Sequence, residues 1–299
     1  MSIQQLYLRG YGASFKWYGD RAINFGGDNA PYEEIIDYWS LSSQNNATDF
    51  GDPNYARGLA ATASNETRGI FGGGRGPEYY AGIDYVTIAS TGNASNFGNM
   101  TFAGGSNAGC GSKIGRGVFT GGNPSSDTMQ YVDIATTGNA TDAGDLDVSR
   151  DGHFSATNGS RGLWAAGNNA SSEGNISYSN LASTANAQDF GDMLYDCFMG
   201  NNGNVSAGDR GIFAGGLEDG EDHIQYINIA SLGNAANFGD LIASRYQLSG
   251  TSNNSVGAFA GGGGNHNQIQ YISINSTGNA SDAADLSVGR SRCSATSGN

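Results

Sequence analysis

Three histidines, His153, His223 and His266, and three cysteines, Cys110, Cys197 and Cys293, are the side chains with which this chain could move protons, attack a carbonyl carbon or ligate a soft metal. Their spacing supports none of these chemistries. No Cys-x-x-Cys or Cys/His ligand pattern occurs, and no histidine stands in a recognisable Ser/His/Asp arrangement, so the thiols read as isolated, reduced groups on or beside strands. The run Leu217–His223 carries Glu218, Asp219, Glu221 and Asp222, the kind of close carboxylates a hard cation such as calcium requires. It lacks the alternating aspartates and closing glutamate of an EF-hand loop. No metal and no other cofactor is therefore expected. A Gly-rich phosphate loop followed by Lys-Ser/Thr is also missing, and no residue is assigned a catalytic role.

The charge balance narrows the partners. Lys plus Arg number 14 against 28 Asp plus Glu, giving a net charge of -14 and a pI near 4.3. Neutralising a phosphate backbone needs clustered cations, so nucleic acid is an unsuitable partner, and an anionic membrane surface is unsuitable for the same reason. No stretch approaches the roughly 20 apolar residues of a membrane span, and the start, MSIQQLYLRGYG, has no basic end followed by an apolar run. A soluble chain without an export signal is expected. Although hydrophobic residues make up only 37% of the chain, aromatics at 10% bury enough area each to build a core.

Those residues are carried by a repeat. RGIFGGG at Arg68 recurs as RGVFTGG at Arg116, RGLWAAG at Arg161, RGIFAGG at Arg210 and VGAFAGG at Val256, with a weaker RAINFGG at Arg21. A tyrosine follows in each copy: Tyr38, Tyr85, Tyr131, Tyr178, Tyr226 and Tyr271. Eight residues after each comes Asn-Ala, at Asn46, Asn93, Asn139, Asn186, Asn234 and Asn279. A spacing held in every copy marks a fixed structural unit. Phe-Gly-Asp, as at Phe50, Phe190 and Phe238, is a third match, and Ser-Ala-Thr, at Ser155 and Ser294, a fourth.

Within a copy the period is that of strands. In Ile224-Gln225-Tyr226-Ile227-Asn228-Ile229, apolar and polar residues mostly alternate between Gly or Asn clusters. The helix-like stretch Tyr32–Trp39 falls in the frame of the tyrosine strand and is read as strand. Four short strands per copy, repeated six times, predict an all-β, six-bladed β-propeller of four-stranded antiparallel blades over residues 21–299, with residues 1–20 as an N-terminal arm. An apolar strand ending in Gly-Gly, a variable loop, a Tyr-bearing strand and an Arg near the last strand, as at Arg150, Arg245 and Arg290, together resemble the Kelch repeat, with Asn-Ala standing where the Kelch tryptophan follows the tyrosine. Arg57, Arg150, Arg245 and Arg290 recur at equivalent places, which suits hydrogen bonding between blades better than an axial anion clamp. The C-terminal Arg292–Thr296 matches the strand that precedes the Arg-Gly start elsewhere and is expected to complete the blade begun at Arg21, with Arg9–Phe15 as its competitor.

Length varies in each copy between the double glycine and the tyrosine, and function tends to sit where a rigid scaffold tolerates variation. Antiparallel blades bring these loops and the blade-to-blade connections to one face. Tyr32, Glu33, Tyr79, Tyr80, Asp219, Asp222, His223 and His266 are the candidate binding residues there. Tyr7, Tyr11, Phe15, Trp17 and Tyr18 make the arm a candidate docking segment. An acidic, Gly/Asn/Ser/Ala-rich repeat almost without lysine resembles repeat-bearing virion proteins of tailed phages, such as tail, fibre and neck components. That resemblance implies a non-enzymatic structural or adhesive protein, assembled in the host cytoplasm into the virion, that meets other virion proteins or a host receptor or glycan and forms a homo-oligomer. A lectin-like carbohydrate-binding module and a glycan-acting propeller enzyme are the alternatives. The Asp box of propeller sialidases is absent from the chain.

Overall fold

The computed structural model describes residues 18–168, 174–197, 199, 202–217 and 222–299. They form six four-stranded antiparallel sheets and, among the described residues, no helix. The chain is a six-bladed β-propeller. The outer three strands of blade 1 are Arg21–Phe25, Ile36–Ser40 and Thr48–Gly51, and its inner strand is Ser294–Gly298, the last strand of the chain. The C-terminal segment thus closes the ring. Its register pairs Ile23 with Thr296 and Phe25 with Ser294. The helix-like stretch resolves as the strand Ile36–Ser40, because the tyrosine strand of every blade needs both neighbours to satisfy its backbone.

The inner strands crowd around the axis, and their composition follows from that. They read Ala61–Ser64, Ala108–Gly111, Phe154–Thr157, Asn204–Ala207, Ser249–Ser252 and Ser294–Gly298, rich in small and hydroxyl residues. Hydroxyls donate across the seams to carbonyls of the neighbouring blade: Thr62 to Ala295 at 2.8 Å, Ser64 to Ser297 at 2.8 Å, Ser297 to Ser252 at 2.6 Å and Ser252 to Ser206 at 2.9 Å. A buried hydroxyl without such a partner would cost roughly 1–3 kcal/mol. The strands leave a narrow axial cavity of about 60 Å³, with Tyr18 at one mouth.

Hydrophobic packing falls into six clusters, one per seam. At the seam of blades 1 and 2, Phe25 stacks on Phe71 with centroids 4.1 Å apart, joined by Ile23, Ile36, Val86 and Ile88. Each face of a blade is therefore covered by its neighbour.

The Asn-Ala motif stitches the outer rim. Asn93 Oδ1 accepts the Asp52 N–H at 3.1 Å, and the equivalent bonds run from Asn99 to Asn139, Asp145 to Asn186, Asp192 to Asn234, Asp240 to Asn279 and Asp285 to Asn46. The alanine N–H of each motif donates to the backbone carbonyl of the same residue, as Ala94 does to Asp52 at 2.8 Å. The glycine before the clasped residue allows the close approach where it occurs: Gly98 has φ +157° and a Cβ on it would collide with the carbonyl of Gly138, whereas blade 6 forms the same clasp with Ala284 in that place. All six seams carry this clasp.

On the hairpin face, Arg21, Arg68, Arg116, Arg161 and Arg210 each lie over the tyrosine of their own blade, 4.0–4.7 Å from the ring centroid. Each also donates to a carbonyl of the next blade, as Arg68 does to Ile134 at 2.9 Å.

Opposite outcomes are expected for the two ends of the chain. Deleting residues 290–299 removes the inner strand of blade 1 and the Arg290 partner of Asp37, and should lower Tm by about 10 °C or more. Deleting residues 1–8 should leave Tm unchanged. Thermal melts followed by circular dichroism check both, and the opposite ranking would contradict closure by the C-terminal strand.

Candidate interaction surface

Antiparallel connectivity puts the variable loops and the blade-to-blade connections on one face, and backbone bonds lock the two sets together. The second glycine of each pair donates to a carbonyl in the connection to the next blade: Gly27 to Arg57 at 3.0 Å, Gly74 to Gly104 at 2.7 Å, Gly122 to Arg150 at 3.0 Å, Gly216 to Arg245 at 2.9 Å and Gly262 to Arg290 at 3.1 Å. In blade 4 the pair is Ala166-Gly167, and Gly167 donates to Cys197 at 3.3 Å. The first position is left-handed throughout, with φ +56° at Gly26 and +60° at Ala166.

The repeated arginines sit beneath these connections. Arg57 is fully buried and donates to Asp84 at 3.0 Å, and Arg290 lies 2.9 Å from Asp37; both acids immediately precede a tyrosine of the repeat. Arg150 donates to Asn175 and Ser177 at 2.7 Å each. Burial pulls its guanidinium down to about 10, against the opposing influence of Asp147, which leaves it protonated at neutral pH. Where the arginine is replaced, a glutamine before the tyrosine accepts backbone N–H groups instead: Gln130 from Thr101 at 2.7 Å and Gln225 from Leu194 at 2.7 Å. These arginines hold connections to blades, and none is open to an anionic ligand at the axis.

Two residues beyond each of these positions the connection turns left-handed: Leu59, Ser106, Gly152, Met199, Gln247 and Arg292, with φ between +53° and +64°. Successive members are joined around the axis. Gly152 donates to Ser106 at 2.9 Å, Ser106 to Leu59 at 3.0 Å, Leu59 to Arg292 at 2.7 Å, Arg292 to Gln247 at 3.1 Å and Gln247 to Met199 at 3.1 Å. Five of the six residues carry a side chain, at a conformational cost on the order of 1 kcal/mol each that the relay of backbone bonds offsets. Nothing in composition or periodicity announces this relay.

The sequence candidates lie on this surface but not in one site. Glu33 donates its N–H to the Gly27 carbonyl at 3.0 Å, and Tyr32 bridges to Asp28; both are half-buried. The Tyr79 hydroxyl donates to Asn123 at 2.8 Å, tying it to the next blade's loop. Tyr80 stacks on Tyr55, centroids 5.4 Å apart and planes at 16°, and Tyr55 is 53% exposed. His223 stacks on Tyr195 at 4.1 Å, and its Nδ1 lies 3.2 Å from Asp240 and 3.8 Å from Asp222. His266 stands apart on blade 6, its pKa held below the usual range by burial and by Arg245. Asp219 lies outside the described residues, as do Tyr7, Tyr11, Phe15 and Trp17. Tyr18 is at the axial mouth on the opposite face, its hydroxyl donating to Asn254 at 3.1 Å.

Tyr55 and Tyr195 are the residues that reading by motif overlooked. The available signal was position: Tyr55 stands two residues before Arg57 and Tyr195 two before Cys197, the equivalent connection residue.

Two stability tests separate scaffold from surface. Asp84→Ala leaves Arg57 buried without its counter-charge and should cost about 3–5 kcal/mol, whereas Tyr55→Ala should cost within about 1 kcal/mol; chemical denaturation measures both. His153 is fully buried with Nε2 2.9 Å from the Thr120 hydroxyl, and burial, aided by Arg150, holds its pKa well below the ordinary value. It is neutral when folded and gains a proton on unfolding below the unfolded pKa of roughly 6.5. Stability is therefore complete above that pH and falls as the pH drops below it, by at most about 1.4 kcal/mol per pH unit from this group. Denaturation midpoints at pH 7.5 and 5.5 should show the decline, and His153→Gln should reduce it.

The chain matches no protein-family model and no curated protein, which leaves its own geometry as the ground for a functional reading.

Proposed function

We propose that the chain is a non-enzymatic interaction platform. The observation that carries this reading is a division of labour: the recurring Arg, Asn, Gly, Phe and Tyr residues are consumed in seam contacts, while the Tyr55–Tyr80 stack, with Tyr55 exposed, lies outside the contacts shared by all blades and on the face where the loops vary. A surface that a scaffold does not require is available to a partner. The described chain begins at Tyr18, on the opposite face, which supports separate partners for the aromatic N-terminal sequence and the loop face.

The finer reading is a Kelch-like propeller in a tailed-phage virion, as a tail, fibre or neck component, with the N-terminal segment docking on the particle and the loop face meeting another virion protein or the host surface. Composition and the absence of clustered cations support it. Neighbouring portal, tail or capsid genes would be the corresponding genomic observation. The exposed tyrosine stack would equally serve sugar rings, which makes a lectin-like module the second reading.

A glycan array and a panel of chromogenic glycosides, both probed with the full chain, discriminate. Silence on both is the expected result. A glycan retained by the wild type and lost in Tyr55→Ala would replace the platform with a lectin, and glycoside cleavage would replace it with an enzyme.

A further inference from the structure

The two aromatic stacks of the loop face occupy equivalent places. Tyr55 lies in the connection from blade 1 to blade 2 and Tyr195 in that from blade 4 to blade 5, and each reaches a ring on the loop of the following blade, Tyr80 or His223. Three blades in a ring of six is half a turn, so the pairs face one another across the axis. Carboxylates accompany both: Glu78, exposed and two residues from Tyr80, and Asp196 and Asp222 next in sequence to Tyr195 and His223.

Charge is distributed unevenly between the faces. On the loop face Glu34, Glu78, Asp127 and Asp196 are exposed, against the exposed Arg75 and the half-buried Arg292, which is paired with Asp28. The hairpin face carries Lys113 and the five tyrosine-stacked arginines against Asp20, Glu66, Asp133 and Asp209. A partner approaching the loop face therefore meets negative potential together with open aromatic rings. That combination suits a guanidinium or ammonium group, which gains from the ring face and the carboxylate at once.

We propose that the loop face binds a cationic segment of a partner protein, taking arginine or lysine side chains at two aromatic–carboxylate clamps, Tyr55–Tyr80 with Glu78 and Tyr195–His223 with Asp196 and Asp222. The inference rests on the platform reading and adds to it the chemistry of the partner and its two-point attachment. Arg57 lies fully buried beneath the stack, 5.9 Å from the Tyr80 centroid, with its charge matched by Asp84, and Arg75 lies over Tyr79, so the ring left to a cation is the exposed Tyr55. Two weak clamps joined through one ligand reinforce each other when its length matches their separation.

The test uses the full chain and fluorescein-labelled peptides with two Arg-Ser-Arg segments joined by Gly-Ser linkers of graded length, titrated by anisotropy in 150 mM NaCl. Tyr55→Ala and Tyr195→Ala should each weaken binding about tenfold, the double variant should abolish it, and Tyr55→Phe should restore it. A peptide with glutamine in place of arginine should not bind. Asp145→Asn with Asp285→Asn, which removes two charges from the outer rim, should leave affinity within about twofold.

Equal weakening by the rim variant would mean diffuse attraction to an acidic protein and would overturn the proposal. So would binding that one clamp alone sustains undiminished, or no binding at this salt concentration. Failure here with silent glycan screens leaves the platform reading standing, whereas a glycan captured at Tyr55 would remove both.

Discussion

A four-stranded blade has two faces and cannot bury either alone, so each sheet in this chain is stable only between two others. That constraint governs nearly every recurring residue. The six apolar clusters lie at seams between blades. The polar repeats do the complementary work at three radii. Hydroxyls bond across the inner strands, arginines clasp neighbouring carbonyls at mid-radius, and Asn-Ala fastens the rim. Because a ring has no end, the constraint is met only when Ser294–Gly298 joins Arg21–Phe25. Closure is thus a condition on all six seams, and losing it exposes two blade faces at once.

The seam that closes the ring differs in its chemistry. Val256 stands where five other blades have arginine, and Trp39, Leu41 and Tyr271 fill the space with Ala258 and Leu286. An arginine clasp needs a tyrosine face of its own blade and a carbonyl of the next. Here Tyr271 is buried, at 2% exposure, where the tyrosines under the five arginines are half-buried. Burial pushes its phenol up. The substitution of Val and Trp for Arg therefore reads as one compensated change: a charge-assisted clasp traded for apolar area, without loss of seam coverage.

How much could be read beforehand depended on whether a feature repeats as residue types or as backbone geometry. The blades and their order were legible because Gly-Gly, Tyr and Asn-Ala recur at set distances; closure by the C-terminal strand was favoured by the match at Arg292–Thr296, but Arg9–Phe15 competed for the same place. The role of Asn-Ala was not, since a spacing reveals a fixed unit but not that Asn139 reaches the N–H of Asn99 in the preceding blade. The left-handed relay was hidden altogether: Leu59, Ser106, Met199, Gln247 and Arg292 share no side-chain character, and only their φ values unite them. The buried arginines were legible as blade-to-blade elements, though not their partners, because Asp37, Asp84 and Ser177 play one part with different groups. Of the candidate surface, Tyr80 and His223 were visible as aromatic or titratable loop residues. Their stacking partners Tyr55 and Tyr195 come from other connections and were not.

The acidity of the chain has a structural source separate from any ligand. Six outer strands each leave one edge unpaired, and an unpaired edge is a template for another copy's strand. A propeller removes inner edges by closure but cannot remove these. Four of them place Asp49 and Asp52, Asp142 and Asp145, Asp189 and Asp192, and Asp282 and Asp285 along that boundary, and the cation that shares one of these strands, Arg150, is fully buried. Backbone N–H groups at the ends of these strands are taken by the Asn-Ala clasp, while Asp49 and Asp142 accept the N–H groups of Gly51 and Gly144 and still carry their charge at the exposed boundary. A rim of one sign repels the rim of any other copy at close range, where a mixed rim would offer salt bridges between edges. The loop face is acidic without having such edges to protect, since its backbone is already bonded between loops and connections. Edge protection therefore accounts for the rim and leaves the loop-face carboxylates, with their open tyrosines, as the part of the charge that calls for a partner.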